Sequence, residues 1–98
     1  MIAVVLQDEN GNMLSEQVVV PTNLVSRIGD TRFMCLRFVD PYGDTILNRL
    51  QLAPLLEDLR VLRGCSQSDQ YEGTFQQIDG LIQLCQAEPH TYIRFIGD

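Results

Sequence analysis

The rhythm of apolar and polar positions changes near the middle of the chain. Before residue 51, short β-branched and aromatic runs are separated by turn chemistry. After it, leucine and isoleucine recur every three or four residues. Residues 1–7 predict a strand, and Asp8-Glu9-Asn10-Gly11-Asn12 a turn in which Asn10-Gly11 favours positive φ. Residues 13–20 return as a second strand that stops at Pro21, and residues 22–32 read as a connecting loop. The run FMCLRFV, residues 33–39, predicts a third strand with Met34, Leu36 and Phe38 on one face. Asp40-Pro41-Tyr42-Gly43-Asp44 is turn chemistry, and residues 45–50 predict a fourth strand pairing back on the third.

Helix signals follow. Leu52, Leu55, Leu56, Leu59 and Leu62 share helical spacing, with Pro54 as the first helical residue and Gly64 as the stop. Glu57 and Asp58 put negative charge near the helix N-terminus, where the helix dipole favours it. A second helix starts at Asp69, whose spacing to Glu72 suits a capping box. Its stripe is Tyr71, Phe75, Ile78, Ile82 and Cys85, and Pro89 ends it. Residues 90–96 close the chain's pattern as a fifth strand. The order predicts one α+β domain over residues 1–98. Two hairpins and a C-terminal strand form a five-stranded, largely antiparallel sheet, with both helices packed on one face.

Charge narrows the classes of function. The 98 residues carry 13 acidic and 7 basic side chains, a net charge of −6, and every cation is arginine. Nucleic-acid grooves and polybasic membrane anchors need clustered positive charge, so the balance excludes both and suits a basic protein partner. Cys35, Cys65 and Cys85 are widely spaced, with no CxxC pair and no cysteine–histidine cluster for zinc. Cys35 and Cys85 read as buried reduced thiols and Cys65 as the exposed one. The N-terminal apolar run is too short for a signal peptide or a span, so a cytoplasmic protein is expected. Neither a metal nor a cofactor is implied, and no catalytic set is recognisable: His90 is the only histidine and no phosphate-binding glycine loop exists.

Three constellations remain. The DPYGDT turn, residues 40–45, reads as an ordinary solvated turn or as a recognition tip with Tyr42 as anchor and Asp40 and Asp44 beside it. Arg37, Arg49 and Arg94 each interrupt a strand-like run. Sharing the sheet face away from the helices, they would be solvent-facing, or hold an anion through their forked donors, or belong to a partner-binding face. Gly73, Gln77, Gly80 and Leu84 lie on the back of the second helix, as tolerated exposed positions or as a self-association groove.

The stretch DPYGDTILNRLQLAPLLEDL, residues 40–59, and the closing YIRFIGD, residues 92–98, resemble small uncharacterised bacterial proteins. Those carry a tyrosine-glycine-aspartate-threonine turn, a leucine-rich helix and a terminal FIGD-like strand. The resemblance transfers no catalytic residue. In size, acidity and lack of chemistry the chain also looks like the immunity proteins that neutralise delivered toxins. The expectation is therefore a non-enzymatic protein-binding module of immunity or antitoxin type. Its partner would be a basic toxin domain, met by Asp40, Tyr42, Asp44, Arg37, Arg49 and Arg94. The alternatives are a self-associating structural or regulatory module, which would make a homodimer, and a small anion-binding protein using the arginine face.

Overall fold

The computed structural model describes residues 1–64 and 68–98, and the reading of Cys65 falls outside them. The elements run β1 (Ile2–Asp8), β2 (Val18–Val20), α1 (Thr22–Val25), β3 (Asp44–Leu47), α2 (Leu52–Arg63), α3 (Glu72–Ala87) and β4 (Thr91–Ile96). Single 3-10 turns cover Leu36–Phe38, Arg49–Gln51 and Ser68–Tyr71. The fold is α+β, and the sheet is antiparallel in the order β2-β1-β4-β3.

The first hairpin turns where its chemistry places it. The Asp8 carboxylate accepts hydrogen bonds from the amides of Asn10 and Asn12, both at 2.9 Å, and Gly11 takes φ +86°. Asn12, through its amide first and its side chain next, draws the Asp8 carboxyl below its ordinary range. The return arm is shorter than residues 13–20. The amide of Leu6 donates to Ser15 Oγ at 2.9 Å, a side-chain acceptor where a regular ladder would offer a carbonyl. Met13 forms one bridge to Gln7, and regular pairing resumes only at Val18.

Among the described residues the sheet has four strands in place of the expected five. Residues 33–39 form no strand, because the amides a neighbouring strand would need are already taken. The Asp58 carboxylate, from α2, accepts from the amides of Met34 at 2.9 Å, Cys35 at 2.7 Å and Leu36 at 3.0 Å. That residue is 1% exposed, so these bonds satisfy a buried charge that would otherwise be costly. The fourth strand of the sequence reading is β3, and it pairs with β4 rather than with residues 33–39. It ends at Leu47 because Asn48 and Gln51 form a reciprocal cap: Asn48 Oδ1 accepts from the Leu50 amide and Gln51 Oε1 from the Asn48 amide, both at 2.9 Å.

α2 starts two residues before Pro54, which still lies in the first turn, where an amide has no helical partner. It ends at Gly64 in a right-handed conformation. Asp69 does not cap α3: it sits in the preceding 3-10 turn, and Tyr71 is the N-cap. Phe75, Ile78, Ile82 and Cys85 of α3 are buried, together with Leu81. α3 packs on β1, β2 and β4, and α2 packs against α3. Arg63 fastens the two helices, with ion pairs to Asp79 at 2.8 Å and Glu72 at 3.2 Å. One core joins the inner residues Ile2, Val4, Leu6, Ile93 and Phe95 to both helices and to Val25, Phe33, Leu36 and Val39 of the segment between β2 and β3. Among the described residues no helix is long and apolar enough to cross a membrane.

Candidate partner-binding surface

The DPYGDT turn is built from two directions. Within it, Asp40 Oδ1 accepts from the Tyr42 amide at 2.8 Å and Thr45 Oγ1 from the Asp40 amide at 3.0 Å. From outside, the residues after β4 close on it: the Gly97 amide donates to Gly43 O at 2.7 Å and the Asp98 amide to Pro41 O at 3.0 Å. A β-carbon on Gly97 would stand 2.5 Å from Gly43 N and 2.8 Å from Asp40 O, so only glycine allows this approach. The tyrosine-glycine-aspartate-threonine turn and the FIGD end are thus two halves of one tip.

On that tip Tyr42 is 84% exposed. Asp40 and Asp98 flank it, the latter on the neighbouring backbone, and both are exposed. Asp44, the first residue of β3, pairs with Arg94, whose Nε lies 3.1 Å from Asp44 Oδ2 and whose Nη2 also contacts it. The structure therefore gathers Asp40, Tyr42 and Asp44 into one turn and adds Asp98. Sequence spacing could not supply Asp98, because it reaches the tip only through the pairing of β3 with β4.

The arginines do not form a common sheet face. Arg94 alone is on the sheet, opposite Val5 of β1 and Ile46 of β3, and its Nη1 reaches Gln7 Oε1 at 3.4 Å. Arg37 belongs to the Leu36–Phe38 turn, and Arg49 to the turn before α2, where its Nη2 donates to Gln86 O at 3.0 Å and so caps the end of α3. The shared face rested on reading residues 33–39 and 45–50 as strands, and it goes with them. Phe33 and Val39, which flank Arg37 in the first of those runs, are buried in the core.

Arg49 instead lines a shallow cleft of about 360 Å³ with Leu50, His90 and Tyr92. His90 is exposed, takes φ +59°, and has Nδ1 3.7 Å from Glu9. Its backbone follows the tight turn out of α3, which accounts for a left-handed residue there without invoking chemistry. Gly73, Gln77, Gly80 and Leu84 are all exposed on the back of α3. Cys35 and Cys85 are buried and free of disulfides. Among the described residues no group of three or more histidine, cysteine or carboxylate side chains is arranged to hold a metal ion.

No protein-family model matches the chain, and no curated protein or solved structure is significantly similar to it.

Proposed function

We propose that the chain is a non-enzymatic protein-binding module that occludes a basic domain, in the manner of an immunity or antitoxin protein, through the tip formed by Asp40, Tyr42, Asp44 and Asp98. The observation that carries this is Tyr42: an aromatic ring 84% exposed, on a turn that both its own aspartate and the end of β4 hold still. A rigid exposed aromatic contributes contact area without a large ordering cost on binding. The net charge of −6 would draw a basic partner in, and burial of Tyr42 would then slow its release.

Co-expression with the product of the neighbouring gene tests this. The expected result is a complex that weakens as salt is raised, and that Tyr42→Ala weakens roughly tenfold or more. A neighbour with no basic domain, or a complex indifferent to both salt and Tyr42→Ala, overturns the reading.

A further inference from the structure

The segment between β2 and β3 has a charge unlike the rest of the chain. Residues 26–39 hold three of the seven arginines and one carboxylate, Asp30. The base of the segment is tied shut: Ser26 Oγ donates to Val39 O at 2.7 Å and the Arg27 amide to Leu36 O at 2.9 Å. From beneath, the buried Asp58 carboxylate holds the amides of Met34, Cys35 and Leu36. A loop closed and packed in this way presents its outer side chains in one arrangement. Those side chains are apolar: Ile28 is 65%, Met34 51% and Phe38 63% exposed.

The three arginines differ in what they touch. Arg32 pairs with Asp30 at 2.7 Å, and Arg27 Nε donates to Leu24 O at 3.0 Å. Arg37 does neither. Among the described residues it is the one arginine whose guanidinium makes no hydrogen bond. It stacks over the Phe38 ring at 4.7 Å, and its Nε is shut off from water with no acceptor. A charged donor left in that state is uncommon, and among the described residues Arg37 makes no ion pair with a carboxylate.

We propose that Arg37 and Phe38 form a docking surface for an acidic segment of a partner protein, one that presents a carboxylate beside an aliphatic side chain. The carboxylate meets the terminal nitrogens of Arg37, which hold no other acceptor among the described residues, while the buried Nε stays out of its reach. The aliphatic group rests on Phe38, with Met34 and Ile28 on the same loop. Three arginines against Asp30, and against the Asp58 carboxylate buried beneath, leave the loop with net positive charge on an acidic molecule, which selects a partner of charge opposite to the one the Tyr42 tip would take.

The opposed charges allow both surfaces to be tested separately. An amphipathic glutamate–leucine peptide, and its counterpart with lysine for every glutamate, are titrated into the isotope-labelled full chain while backbone amide resonances are followed. The acidic peptide is expected to shift the amides of residues 27–38. Arg37→Gln and Phe38→Ser should each weaken it roughly threefold or more, with the spectrum outside the loop unchanged. The basic peptide reports on residues 40–45 and 97–98 of the tip, so failure at the tip and failure at the loop are distinguishable. An acidic peptide that leaves residues 27–38 unmoved, or binds Arg37→Gln as well as the original, overturns the proposal. So do shifts of the same amides with protein concentration alone, which would assign the loop to a second copy of the chain.

Discussion

Gly97 and Gly43 meet backbone to backbone, with the Gly97 amide donating to the Gly43 carbonyl at 2.7 Å and no space for a side chain between them. Gly97→Ala should therefore push the chain end off the turn. The expected loss is about 1–3 kcal/mol in denaturant unfolding, the ordinary cost of forcing a methyl into filled space. Shifts in the amides of residues 40–44 should accompany it. Gly80→Ala is the control: a β-carbon there meets nothing within 4 Å, and an exposed helical site should gain up to about 1 kcal/mol. Equal effects of the two substitutions would show that the tip is not held by the close approach.

Asp58 is expected to be the polar side chain on which the fold most depends. Asp58→Ala strands three amides, those of Met34, Cys35 and Leu36, of which the latter two are bonded within the core. Each unsatisfied buried donor costs about 1–3 kcal/mol, so the total for the two buried amides should reach at least about 2 kcal/mol in a urea titration. Asp58→Asn keeps one acceptor oxygen but turns a donor toward the same amides, and should lie between. A loss below about 1 kcal/mol for Asp58→Ala would mean that residues 33–39 are held by apolar burial alone.

The thiol of Cys35 lies in the same place. Burial first, and the Asp58 carboxylate second, push its pKa above the ordinary cysteine value. A smaller thiolate fraction and a closed environment both slow alkylation. Cys35 is expected to label much more slowly than a free thiol at neutral pH, followed by mass spectrometry of the modified peptide. Asp58→Asn should speed that labelling, since it removes the charge and loosens the segment. Rapid labelling of the unmodified protein at Cys35 would contradict this geometry.

Asp30 supplies a pH marker for the same loop. The Arg32 guanidinium and amide bond its carboxylate and hold its pKa at about 2, below the ordinary value of 3.8. The folded value lies below the unfolded one, so the contribution of this pair is complete above pH 3.8. It fades as acid takes the pH down through about 2. Carboxyl NMR should place the Asp30 midpoint near 2, and Arg32→Gln should move it back toward 3.8. An unchanged midpoint in Arg32→Gln would remove the ion pair as the cause.

β1, β4, α2 and α3 are legible because in each the local periodicity matches the surface that the tertiary structure buries. Ile2, Val4 and Leu6 enter the core from one face of β1, and Leu55, Leu59 and Leu62 repeat at helical spacing. Residues 33–39 alternate just as well but have no strand beside them. What decides their shape is a carboxylate more than twenty positions later, which no local window contains. A signal for it was nevertheless present. Leu55, Asp58, Leu59 and Leu62 are spaced as a single buried stripe, and an aspartate within such a stripe must find donors. Read as a charge near the helix start, Asp58 concealed its role. The arginines failed for a related reason: their parity has meaning only where a strand exists, and of the three only Arg94 has one. That Tyr42 and its aspartates sit in a turn was legible because turn chemistry is local.

The sheet order also determines when this molecule can fold during its manufacture. β4, the last of these strands in chain order, lies between β1 and β3, and among the described residues no other strand pairs with β3. Until translation reaches Ile96, β3 has nowhere to dock, and β1 and β2 are left as a lone hairpin, which is marginal in water. The nascent chain therefore cannot lay down its sheet strand by strand as it emerges. It must wait and close in one event that joins residues 2–8 to residues 91–96, a long loop closure of the kind that slows folding. The exposed tip around Tyr42 comes into being at that same moment, since the chain that pins it follows directly from β4.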